Sequence, residues 1–269
     1  MASYSPPSLF ELANFAKERS PYYRDLYADL EIDEKTPWHA IPTVHHSKYW
    51  TSNTDEDNAV RTSRLVDGIL FRTGGTTGNE KFVALAQIEL QQTAMQLASG
   101  LLAAGVKPGD RVANMFYAGE LWGSFLLRVL SIMSCPIPLV QIPTGGLGSP
   151  ETNEHLLRDC KVTAVLSTVT GLIRLADYML PQGRTLHLIR SVMFGGEAMY
   201  PGQCDKLSKI LPNATFRGCI KDRLEDQGSG CGLGRKRHSF TLLAFEYNRF
   251  DYDQVYEDHL CIIPMRVSL

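Results

Sequence analysis

Residues 105–142 read GVKPGDRVANMFYAGELWGSFLLRVLSIMSCPIPLVQI. Pro-Gly-Asp at 108–110 predicts a turn. RVANMF (111–116) follows as a strand, and ELWGSFLLRVLSIMS (120–134) as a helix that lines up Leu121, Phe125, Val129 and Ile132. PIPLVQI (136–142) then predicts a second apolar strand. A helix between two buried strands is the connection that parallel strands require, because a tight turn joins only antiparallel ones.

The same unit recurs downstream. Ser149 is placed to cap a helix that has Pro150 in its first turn. VTAVLST (162–168) reads as a strand, GLIRLADYML (171–180) as a helix and LHLIRSVMFGG (186–196) as a strand. PGQCDKLSKIL (201–211) and ATFRGCI (214–220) add a helix and a strand. Upstream, ELQQTAMQLASGLLAAG (89–105) sets Leu90, Ala94, Leu97 and Leu101 on one helical face, with Gly105 as a left-handed cap. Expected strand starts at 111, 136, 162, 186 and 214 recur every ~25 residues. The fold class predicted is α/β, a mostly parallel sheet with helices on both faces. Such sheets bind ligands at the carboxyl ends of their strands. The loops there are 117–120, 143–150, 167–171 and 195–199, each supplied with Gly, Ser or Thr.

Three segments divide the 269 residues. Residues 1–66 form a helical and then irregular lead, in which SLFELANF is helical, Pro21 breaks the pattern and IPTVHHSKYW (41–50) reads as an apolar entry and loop. Residues 67–220 form the α/β core, and 221–269 a divergent tail, charged, then glycine-rich, then basic. With 44% hydrophobic residues the chain can bury a sizeable core, and a net charge of −2 argues against a nucleic-acid partner. The first residues have no basic-then-apolar pattern of a signal peptide, and no apolar run reaches the ~18 residues of a membrane span. The six cysteines, none in a CxxC pair, predict reduced thiols in a cytoplasmic protein. His45-His46 suits a surface loop better than one metal, and no metal ligands are assigned. Oligomeric state is not legible.

Ahead of the regular series, FRTGGTTGNEKFV (71–83) places a glycine loop between two strand-like runs, GILFRT and KFVAL. A phosphate loop needs backbone N–H groups free to converge on oxygens, hydroxyl donors and a cation. Gly74, Gly75 and Gly78 supply the first, Thr73, Thr76 and Thr77 the second, and Lys81 the third. A plain hairpin turn is the alternative. The Walker A pattern fails, since Asn79 stands where its second Gly belongs. The dinucleotide pattern G-x-G-x-x-G fails here and at 228–234, and no G-x-S-x-G elbow occurs.

RTGGTTGNEK (72–81) resembles the [ST]-[SG]-G-T-T-G-x-x-K loop of the adenylate-forming (AMP-forming) ligases. PYYRDLY (21–27) and IPTVHHSKYW look like the lead of the phenylacetate–CoA ligase-like branch, 105–139 like the segment after the loop, and SVMFGGEAM (191–199) like the strand and GGE loop that contacts adenine. The likeness covers about residues 10–220 and implies an acid–thiol ligase. Its cofactors and substrates would be ATP, Mg²⁺, a small carboxylic acid and CoA. The resemblance implies that Thr73, Gly74, Gly75, Thr76, Thr77, Gly78 and Lys81 hold the phosphates, with Lys81 and Thr77 as catalytic residues. It places Gly195, Gly196, Glu197 and Ala198 along adenine, and Tyr117, Ala118 and Gly119 at the acyl pocket. Lys81 as an edge charge, Glu197 as a helix-dipole charge and Tyr117 as packing are the rival readings. The family's Tyr-Gly-x-[ST]-Glu segment does not follow 214–220; KDRLED (221–226) stands there. We read this as a truncated AMP-forming ligase, with a non-catalytic nucleotide- or partner-binding remnant as the alternative.

Overall fold

The computed structural model describes residues 8–53, 58–72 and 81–218. They fall into two compact units, one closing at Leu90 and the other opening at Gln91.

In the first unit, Ser8 and Glu11 form a capping box on helix α1 (Leu9–Arg19). Ser20 ends α1 and caps α2 (Pro21–Leu26), its Oγ accepting from Tyr23 N. Tyr22, Tyr23 and Tyr27 are buried with Ala13, Ala16 and Tyr49. The loop expected at 45–50 is a helix instead, α3 (His46–Ser52). Seven residues are too few to hold a helix by themselves. Burial of Tyr49, edge-on to Tyr22 at 5.7 Å and to Trp50 at 5.1 Å, supplies what local sequence does not. Strands β1 (Ile69–Arg72) and β2 (Phe82–Leu85) pair antiparallel, from Ile69 with Leu85 to Arg72 with Phe82. Helix α4 (Gln87–Ala103) comes next, and Glu89 accepts from Ala86 N at its start.

The second unit holds a five-stranded, wholly parallel sheet in the order β4-β3-β5-β6-β7. Its strands are β3 (Arg111–Asn114), β4 (Val140–Ile142), β5 (Ala164–Ser167), β6 (Ser191–Phe194) and β7 (Thr215–Gly218). Between them run α5 (Gly123–Met133), α6 (Pro150–Asp159), α7 (Val169–Met179) and α8 (Pro201–Ile210). Alternation along the strands sorts side chains to two cores. Ala113, Val165, Val192 and Phe194 pack against Leu157, Leu172, Leu175, Met179 and Leu207 of α6, α7 and α8. Val112, Ala164, Leu166 and Met193 pack against Leu101 of α4 and Ile132 of α5. Helices therefore cover both faces. Asp110, buried at the entry to β3, accepts from Thr163 Oγ1 at 2.7 Å and from Arg190. These three residues immediately precede β3, β5 and β6, so one carboxylate sets the starting edge of three strands.

Three local expectations change. β4 starts at Val140 rather than 136, because Pro136 and Pro138 have no N–H for the ladder. β6 starts at Ser191 rather than 186; Leu186 is buried, but its N–H bonds to Ile210 O of α8. Leu121 lies outside α5, since Glu120 and Leu121 hold left-handed φ of 50° and 61° and the helix begins at Gly123. Gly105 caps α4 as expected, at φ +84°.

Candidate functional site

Because all five strands are parallel, the loops leaving β3, β4, β5 and β6 open on one edge of the sheet. Asn114, the last residue of β3, ties two of them together. Its side chain is fully buried. Nδ2 donates to Phe125 O at 3.0 Å, and Oδ1 accepts from Phe116 N at 3.3 Å. Its main-chain carbonyl accepts from Thr144 Oγ1 at 3.0 Å and Gly145 N at 2.9 Å. The loop of Tyr117 is thereby fastened to the loop 143–149. The ring of Tyr117 lies on Gly146, where an added Cβ would come within 2.9 Å of it, so only glycine fits. Trp122 meets that ring edge-on at 5.9 Å. Tyr117 is half-buried, while Ala118 and Gly119 are exposed.

The loops after β5 and β6 are joined by Glu197. Its Oε2 accepts from Thr170 N at 2.8 Å and Thr170 Oγ1 at 2.7 Å. Thr168 caps α7, its Oγ1 accepting from Gly171 N at 3.1 Å. Glu197 thus supplies a carboxylate to the N-terminal turn of a helix, where backbone donors and the dipole favour negative charge. The helix is the preceding one, not its own. Gly195 is buried and Gly196 exposed with φ +81°, which turns the chain so that Glu197 reaches back.

Lys81 immediately precedes β2 in the first unit. Its ammonium donates to His46 Nε2 at 3.0 Å and lies 5.3 Å from the Trp50 ring centroid. Thr73, Gly74, Gly75, Thr76, Thr77 and Gly78 lie outside the described residues. The structure thus pairs Glu197 with Thr170 and Tyr117 with Gly146, and describes Lys81 in a separate unit. Asn114, Thr170 and Trp50 are not singled out by the sequence, and His46 reads there only as part of a surface loop. An Asn within the apolar run RVANMF was the available signal for the first.

Elsewhere, Glu154 on α6 is a buried carboxylate bound by Arg158 at 2.7 Å and Arg184 at 2.8 Å. Burial is the largest single influence and pushes its pKa up; hydrogen bonds and charges from the two arginines together outweigh it and hold it below the ordinary value. These residues line a 650 Å³ depression beside the segments that enter β5 and β6, away from the strand ends. Among the described residues, no group of three or more His, Cys, Asp or Glu could hold a metal ion. Cys135 and Cys160 are free thiols. No helix among the described residues is long and apolar enough to cross a membrane.

No family model matches the chain, and no curated protein does. Solved structures match over most of it. 2-Hydroxyisobutyryl-CoA ligase with 2-HIB-AMP and CoA in its thioesterification state superposes with a TM-score of 0.69 at 18% identity, over 79% of this chain and 47% of the ligase. Its open conformation, with the same molecules, gives 0.66 at 17%, over 80% and 52%. Its postadenylation state with 2-HIB-AMP gives 0.69 at 16%, over 80% and 47%. The chain spans about half the length of these ligases. The likeness establishes the fold, which the chain shares with 2-hydroxyisobutyryl-CoA ligase over the matched residues.

Proposed function

We propose that this chain handles ATP and a small carboxylic acid as the N-terminal part of an AMP-forming acid–CoA ligase of the phenylacetate–CoA ligase-like branch, in the cytoplasm. The observation that carries the proposal is the sequence 72–81, a glycine loop ending in Lys81, followed by a parallel α/β unit of the fold seen in CoA ligases. In the reaction, a substrate carboxylate oxygen attacks the α-phosphorus of ATP and pyrophosphate leaves. The CoA thiol then attacks the acyl carbon and AMP leaves. The task of the protein is to neutralise phosphate charge and align the attack. Thr73, Gly74, Gly75, Thr76, Thr77 and Gly78 contribute N–H and hydroxyl donors, and Lys81 a cation. Gly195, Gly196, Glu197 and Ala198 line adenine, held in place by the bond from Glu197 to α7. Tyr117, Ala118 and Gly119 border the acyl group, on a loop that Asn114 fixes. Mg²⁺ bound with ATP would supply charge neutralisation at the phosphates.

The test is pyrophosphate release with ATP and a panel of aryl and fatty carboxylates. We expect release that Lys81→Ala combined with Thr77→Ala abolishes; release that survives the pair refutes the site. A second reading rests on a specific observation. No Tyr-Gly-x-[ST]-Glu segment follows β7 in the sequence. This favours a remnant that binds a nucleotide or a partner without turnover. Calorimetric ATP binding with no pyrophosphate release would support it.

A further inference from the structure

We infer that His46 and Trp50 are positioning residues for Lys81, forming a seat that presents its ammonium to a polyphosphate. This rests on the reading of 73–81 as a phosphate loop. His46 and Trp50 are four residues apart on α3 and so share one helical face. That helix is tied to the start of β2, where Asn53, its last cap residue, donates Nδ2 to Phe82 O at 3.2 Å. Phe82 is the neighbour of Lys81, so the seat and the side chain it receives are held in register by an independent bond.

Each contact restricts the ammonium differently. An ammonium can only donate, so in the 3.0 Å contact Nε2 of His46 serves as the acceptor. The Trp50 ring offers its negative face to the same charge from 5.3 Å. The His46 and Trp50 rings meet edge-on at 6.4 Å, and Trp50 leans on Tyr49, which is buried against Tyr22. The seat is therefore built on the core of the unit, not on a loose loop. A lysine side chain has large rotamer freedom, and fixing it beforehand removes that cost when an anion arrives. The sequence HHSKYW (45–50) thus has a role that adjacent histidines in a surface loop would not.

The test uses the full chain in two arms. In a Trp38→Phe/Trp122→Phe background, Trp50 is the only remaining tryptophan of three. Lys81→Met should shift the emission of Trp50 without ligand present; unchanged emission overturns the seat. In the second arm, ATP affinity is measured by calorimetry. A cation–π contact of ~0.5–1 kcal/mol corresponds to about two- to five-fold, which is the weakening expected for Trp50→Ala. His46→Ala should weaken ATP to a similar degree. Trp50→Phe keeps a π face and His46→Gln keeps an acceptor, and both should restore affinity; circular dichroism checks that all variants fold. Wild-type protein that binds no ATP overturns both this inference and the proposed function. Wild-type binding that His46→Ala and Trp50→Ala leave unchanged overturns this inference alone.

Discussion

Replacing Asn114 by Ala should loosen the edge of the sheet where the proposed acyl loop sits. The side chain is fully buried and makes two hydrogen bonds, to Phe125 O at 3.0 Å and from Phe116 N at 3.3 Å. Truncation removes one partner from each, and the second partner remains inside the protein. An orphaned buried polar group costs ~1–3 kcal/mol, more than the ~1 kcal/mol net value of the bond itself. Phe116 is itself buried, so water reaches its N–H poorly. The longer 3.3 Å bond counts at the low end of that range, which puts the sum at about 2–4 kcal/mol. Asn114→Asp keeps the acceptor for Phe116 N but sets an oxygen against the Phe125 carbonyl, so it should do no better than Ala. Denaturant unfolding gives the total, and amide hydrogen exchange by mass spectrometry gives the location. Protection should fall most in 111–125. It should fall less in 143–149, because Thr144 and Gly145 are anchored to the main-chain carbonyl of residue 114, which alanine retains. A loss under ~0.5 kcal/mol, or unchanged protection at Phe116, would refute the reasoning.

Glu154 should show a strong non-additivity. Arg158 and Arg184 are half-exposed, so either alone to Ala should cost little, whereas removing both strands a buried carboxylate and should cost clearly more than the two single losses together. Because the folded pKa is lowered, the wild-type contribution is present above the ordinary carboxylate pKa and fades as pH falls through the folded value. In the double variant only burial remains, and the sign of the acid dependence should reverse when stability is measured from pH 3 to 7. Burial, with Tyr22 adding to it, pushes Tyr49 up to about 12. Stability from Tyr49 is therefore complete below pH 10 and lost toward 12. The loss is about 2–3 kcal/mol, visible as phenolate absorbance rising together with unfolding, and it should vanish in Tyr49→Phe. Glu197→Gln should weaken the cap on α7 by about 1 kcal/mol, read as faster exchange of the Thr170 amide.

The parallel sheet was readable because its strands are short apolar runs and two of its helices carry legible caps: Ser149 before Pro150, Gly105 after α4. These are local signals with a fixed period. The strand boundaries were less readable, since Leu186 and Ile189 are as apolar as any strand residue yet belong to a turn whose bonding goes to α8. Helix α3 was unreadable for the opposite reason, as its stability comes from Tyr49 packing on residues far along the chain. The candidate site divides in the same way. Tyr117 and Glu197 could be placed at strand ends by counting, but their partners, Gly146 and Thr170, are set by which loops the parallel order brings side by side.

Periodicity along this chain thus settled the α/β class, the order of its elements and the edge on which its loops open, because those depend on residues near one another in sequence. Folding in three dimensions decided that Asn114 clamps two loops, that Glu197 caps a helix other than its own, and that His46 and Trp50 receive Lys81. Each of these joins residues 11 to 35 positions apart, a separation that strand and helix periods do not encode.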